Sequence, residues 1–200
     1  MSSTSVVLTS PPTPLLRGEG SKTNLIEQNL VGKDKTGIFV RVFPNGKPII
    51  VLSHPQQETI VKLIPERTYN ISGEIYSSSH AKRPDIALEI QLANGSHLVY
   101  IFDPKYKLES ENQDNISRKS KPIRQDIDKM HAYSHAIRDS KGRQVVNYAA
   151  ILYPGTHKTY PNAQIEALPA YPGNEAELRT HLRRILTQAL IDVAKSRDEI

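Results

Sequence analysis

Residues 83–105 read RPDIALEIQLANGSHLVYIFDPK, and this stretch decides the fold. Two runs of β-forming residues, Pro84 to Leu92 and Leu98 to Lys105, flank Asn94-Gly95, the strongest hairpin signal in the chain. A three-residue turn, Ala93-Asn94-Gly95 with Gly95 in the left-handed conformation, sets Leu92 opposite Ser96. Counting outward, Ile86 then faces Phe102 and Asp85 faces Asp103, with Cβ atoms about 5 Å apart. Lys105 projects from the Asp103 face because strand side chains alternate with period two. The other face collects Ile86, Leu88, Ile90 and Leu92 against Leu98, Tyr100 and Phe102, a clean core face. Glu89 shares the Asp85 face and reads as an ordinary polar residue on the less buried side. A two-residue turn would pair Ile86 with Asp103 and mix apolar with acidic positions, so the three-residue turn is preferred.

Outward from the hairpin, Gly37 to Phe43 and Pro48 to Leu52 read as two strands around Asn45-Gly46. Thr59 to Ile64 and Tyr69 to Tyr76 are further strand candidates. Leu108 to Lys121 is polar and without apolar period, a mobile loop. A helix follows, capped by Ser120, with Pro122 in its first turn and Ile123, Ile127, Met130 and Ile137 as its apolar stripe, stopping near Ser140-Lys141-Gly142. Gln144 to Tyr153 and Ala163 to Leu168 are strands. Asn174 caps a last helix in which Leu178, Leu182, Ile185, Leu186, Ala189 and Leu190 share a face. Strands, a helix, two strands and a helix make a mixed sheet with helices packed on it, α/β or α+β. Met1 to Gly20, rich in Ser, Thr and Pro, has no periodicity, so residues 1–22 are read as a disordered leader and 23–200 as a single domain.

Composition narrows the function less. The chain has 200 residues, of which 38% are hydrophobic, enough for one sizeable core. No apolar run approaches the length of a membrane span, and Val6 to Leu8 is too short for a signal-peptide core. The absence of cysteine excludes disulfides and thiolate metal sites and fits a reducing, cytoplasmic setting. A net charge of +5 is a modest surplus compatible with a polyanionic partner. His131, His135, His157 and His181 show no metal-ligand arrangement and carry no assignment. No phosphate-binding GxxxxGK[ST] loop is present.

The chemistry resides in the paired carboxylates. Asp85 and Asp103 side by side repel each other unless a cation sits between them, and hard oxygen ligands suit Mg²⁺, with Mn²⁺ as the alternative ion. Arg83-Pro84-Asp85 followed by Asp103-Pro104-Lys105, then DIDKMHAYSHAI at 126–137, resembles the PD-(D/E)xK nuclease superfamily, in particular the restriction-endonuclease-like domain of McrC-type relatives. The likeness runs through VVNYAAILYPG and IEALPAYPG and covers roughly Leu63 to Leu190. It implies a restriction-endonuclease-like mixed central sheet flanked by helices, metal ligation by Asp85, Asp103 and the Pro104 carbonyl, and a catalytic role for Lys105. It also implies a metal-dependent DNA endonuclease that often works with a separate nucleotide-driven motor subunit, or as a homodimer.

Departures from the family pattern are specific. Related RecB-like nucleases carry QxxxY on the helix, and here Lys129 replaces the glutamine while Tyr133 is kept. Pro104 stands where relatives carry a small residue, and only a strand end or bulge tolerates it. An upstream helix supplies a glutamate in many relatives. Leu25 to Leu30, with Glu27, is the short candidate for it, and Glu74 is another. Arg118, Lys119, Lys121 and Arg124, together with Arg83 and Lys107, are the candidate nucleic-acid contacts, near the positive end of the helix dipole. The second function class is a non-catalytic nucleic-acid-binding or assembly module that keeps the fold.

Overall fold

The structure is a computed structural model and describes residues 24–28, 31–34, 37–40, 46–54, 58–105, 122 and 124–198. The proposed leader, the 108–121 loop and the Ser120 cap lie outside the described residues. The hairpin forms as its sequence dictates. Strand β7 (Ile86–Gln91) pairs antiparallel with β8 (His97–Pro104), Ile86 facing Phe102, Leu88 facing Tyr100 and Gln91 facing His97. Gly95 takes a φ of 75°, and the Leu92 and Gly95 amides close the turn onto Ser96 and Leu92 carbonyls at 2.9 Å. The Asn94 side chain accepts from the Ser96 amide at 2.8 Å. The three-residue turn is therefore correct, and every pair beyond it follows.

Around this hairpin the chain builds an eight-stranded mixed sheet. Its remaining strands are β1 (Asn24–Gln28), β4 (Ile50–His54), β5 (Thr59–Pro65), β10 (Val146–Tyr153), β11 (Lys158–Tyr160) and β12 (Ile165–Pro169), in the order β1-β4-β5-β7-β8-β10-β12-β11. The β8–β10 and β10–β12 pairs are parallel and the others antiparallel. Helix α1 (Arg124–Ala136) makes the crossover from β8 to β10 and covers one sheet face, packing Ile127, Met130 and Tyr133 on Ala87, Val99, Ile101 and Ile151. Helix α2 (Glu175–Asp198) covers the other, packing Ile185, Ala189 and Val193 on Leu88, Ile90, Tyr100 and Phe102. Strands covered on both faces lose the polar side of their alternation, which is why seven of the eight residues of β8 are buried.

Several expectations need correction. Gly37–Val40 (β3) pairs with Val31–Asp34 (β2), Asp34 facing Gly37, not with the strand after Asn45-Gly46. Pro44 and Pro48 flank that dipeptide, and neither can donate to a ladder. Tyr69 to Tyr76 is broken by Ser72-Gly73, where Gly73 has a φ of 139°. Only Ile75–Ser77 (β6) is a strand, pairing with Ile137–Asp139 (β9). Ile137 therefore belongs to a strand and the helix ends one residue before it. Leu25 lies in β1, so the short upstream helix does not form. On α2 the buried stripe is Ile185, Ala189 and Val193, with Leu178 and Leu182 packed beside it. Leu186 and Leu190, 44% and 63% exposed, sit about 100° round the helix from it. Glu89 is buried on the α1 side, where Arg67 Nε donates to its Oε1 at 2.8 Å.

Candidate active site

The hairpin register brings Asp85, just ahead of β7, beside Asp103 near the end of β8. Asp103 is fully buried, in a central strand whose next neighbour is Ile151 of β10. Such a carboxylate survives there only if its charge is answered. Two lysines do so. Lys105 Nζ donates to Asp103 Oδ1 and also lies 3.3 Å from the Pro104 carbonyl. Lys129 Nζ reaches the other oxygen, Oδ2, at 2.9 Å from helix α1. Lys105 stands 3.7 Å from Asp85 Oδ2 as well, so one ammonium links both carboxylates. Asp85 is the open member of the pair, its side chain 48% exposed against none for Asp103.

The electrostatics separate the two acids. The hydrogen bond with Asp103, then burial, then the Asp103 charge push the Asp85 carboxyl up to about 6, against the lowering pull of Lys105 and Lys129. Burial also pushes Asp103 upward, but its hydrogen bonds with Asp85, Lys105 and Lys129 outweigh this and hold it below the usual carboxylate range. Lys129 loses some basicity to burial. Its hydrogen bonds with Asp103 and Tyr133 more than restore it and keep the ammonium charged. Two acids in contact, the exposed one holding its proton up to about pH 6 and the buried one ionised, form an oxygen-donor set that fits a hard divalent cation.

Tyr133 is buried one turn beyond Lys129 and donates its hydroxyl to the Arg83 carbonyl at 3.0 Å, tying α1 to the segment that enters β7. Lys129 Nζ lies 5.3 Å from the Tyr133 ring centroid, a cation–π contact that helps fix the ammonium over Asp103. Pro104 occupies the last position of β8, where its missing N–H costs the ladder nothing, while the Lys105 amide donates to Leu152 at 2.7 Å. Arg83 is paired with Glu66 at 2.7 Å, and the Glu66 amide donates to the Asp85 carbonyl. Arg124 is exposed at the start of α1. Lys107, Arg118, Lys119 and Lys121 lie outside the described residues. Glu74 pairs with His97 at 3.5 Å. With Lys62, Arg67, Glu89 and His97 it lines a separate small cavity of about 90 Å³.

The sequence left one other group unassigned. His157 and His181 do come together, with Glu166 between them, on the sheet face covered by α2. Their partners are distant in sequence, so spacing alone carried no signal. Among the described residues no helix is long and apolar enough to cross a membrane.

No curated protein and no solved structure matches the chain. The family model for the PD-(D/E)XK nuclease superfamily matches residues 16–158, which span the hairpin, the Asp-Pro-Lys end of β8 and helix α1. On that match, over more than half its length, the chain belongs to the PD-(D/E)XK nuclease superfamily.

Proposed function

We propose that this chain is a metal-dependent DNA endonuclease, with Asp85 and Asp103 as cation ligands and Lys105 as the catalytic lysine. The observation that supports this most is the meeting of Asp85, Asp103 and Lys105, with Asp103 buried and charge-answered and Asp85 open to solvent. Asp85, Asp103 and the Pro104 carbonyl would hold Mg²⁺ or Mn²⁺. When bound, that ion polarises a phosphoryl oxygen and lowers the pKa of a water at the scissile phosphate. Lys105 keeps both carboxylates in register and offers positive charge where negative charge develops on the phosphate. Lys129 fixes the far oxygen of Asp103 so that the carboxylate cannot rotate away. Arg83 and Arg124, with Lys107, Arg118, Lys119 and Lys121, would meet the DNA backbone, a sequence-independent contact that weakens with salt. A separate motor subunit and a homodimer belong to the same proposal, resting on the McrC-type likeness.

Plasmid nicking by the purified chain with Mg²⁺, with Mn²⁺ and with EDTA tests the reading. Cutting that requires the ion supports it. A folded chain that binds DNA and cuts under neither ion sinks it.

Lys129 also favours a second reading, a nucleic-acid-binding module without catalysis. Both oxygens of Asp103 already meet ammonium groups, so an entering cation competes with Lys129. The Lys129→Gln variant separates the two. Glutamine keeps a donor for Asp103 and removes the competing charge, so the Mg²⁺ concentration for half-maximal nicking should fall roughly tenfold. A chain inert in both forms, yet binding DNA with the same salt dependence, fits the module.

A further inference from the structure

The other sheet face holds a second set of ligand-type side chains, independent of the carboxylate pair. Glu166 on β12 pairs in register with Ala150, which packs under α2. Asp103 instead neighbours Ile151, which packs under α1. The sheet therefore separates the two groups. His157 immediately precedes edge strand β11 and places Nε2 at 2.8 Å from Glu166 Oε2. His181, on α2, sets its ring centroid 4.2 Å from that of His157, the planes tilted by 47°, and Glu177, one helical turn earlier, puts Oε1 at 3.7 Å from His181 Nε2. One ligand atom from each of His157, Glu166 and His181 lies within 4.8 Å of the other two.

We propose that His157, Glu166 and His181 form a zinc site that pins helix α2 to the β11–β12 edge of the sheet. Two imidazoles and one carboxylate are a donor set suited to Zn²⁺ far better than to Mg²⁺, which prefers oxygen alone. Tetrahedral zinc with bonds of about 2.0–2.2 Å needs donors about 3.4 Å apart. The 2.8 Å His157–Glu166 separation and the 4.8 Å within which all three ligand atoms lie bracket that value. Arg184 now holds Glu166 Oε2 at 2.6 Å. Glu166 has a second oxygen, so Arg184 can keep one while the metal takes the other, the supporting contact that ligating carboxylates usually have.

The test uses the full chain and the Asp103→Asn variant, which removes the other cation-binding group. Calorimetric titration with ZnCl₂ should give one Zn²⁺ per chain in the Asp103→Asn variant and at least one in the full chain, with a rise in melting temperature on saturation. Made in the Asp103→Asn chain, the His157→Ala/His181→Ala pair should lose that binding by about 100-fold or more, since changes to mere supporting groups already cost 10–100-fold. Co²⁺ added to the unmodified chain should give the intense visible absorption of a tetrahedral nitrogen and oxygen site, a readout that needs no variant to fold. Zinc affinity unchanged in the double variant, or no zinc binding and a featureless Co²⁺ spectrum in the unmodified chain, overturns the proposal. Neither result touches the nuclease reading, which nicking assays decide separately.

Discussion

Asp103→Asn is expected to cut plasmid nicking by on the order of 10³-fold while the chain stays folded, as read by circular dichroism beside the activity assay. The site's geometry makes Asn the informative replacement. Asp103 is fully buried and carries an ammonium on each oxygen. Alanine would remove charge, shape and both acceptors together, leaving Lys105 and Lys129 facing each other over a void, so lost activity could reflect lost structure. Asparagine keeps the shape and one acceptor. Lys105 and Lys129 side chains, 21% and 41% exposed, can then turn their charges toward water, which limits the loss of stability. Asp85→Asn supplies the contrast. Its side chain is half exposed, so its loss should abolish cutting with almost no change in melting temperature. Wild-type nicking by a folded Asp103→Asn chain would mean that the carboxylate pair is not the reacting centre.

The site was legible to the extent that it hangs on one hairpin. Asn94-Gly95 and the alternation on either side fix a register, and a register of period two leaves no freedom about which residues meet. Asp85, Asp103 and Lys105 follow from it by counting. Lys129 needed the helix to be laid across the sheet, which periodicity indicates but does not aim. The misreadings share a cause, since local patterns do not say what covers them. Glu89 alternates like a surface residue, yet α1 and the 67–75 segment enclose its face. Ile137 continues the spacing of Ile127 and Met130, and only pairing with Ser77 shows that the helix has already ended. Six apolar residues on α2 are too many for one stripe, and only the packed sheet decides that Ile185 and Ala189 go in while Leu186 and Leu190 stay out. His157, Glu166 and His181 come from a loop, a strand and a helix, so nothing short of the fold could gather them.

Arg67→Met is expected to produce the largest loss of stability, about 3–5 kcal/mol, without changing the nicking rate per folded molecule. Glu89 lies in the middle of β7, its side chain 9% exposed, with Arg67 Nε at 2.8 Å. The guanidinium also sits 5.0 Å from the centroid of the Tyr69 ring, which is itself fully buried. Methionine preserves the length and the apolar contact with Tyr69 but leaves a carboxylate enclosed without its partner. The cost is then the desolvation of an unanswered charge, which exceeds the net worth of the pair. For a chain of 200 residues that loss corresponds to a fall of roughly 6–20 °C in melting temperature. Adding Glu89→Leu to Arg67→Met removes the stranded charge and should return most of the lost stability, because a buried ion pair replaced by apolar groups of similar volume is often neutral. Thermal melts of the two single variants and the double variant measure this directly. If the double variant melted as low as Arg67→Met, the loss would come from Arg67 packing on Tyr69 and not from the enclosed Glu89 charge.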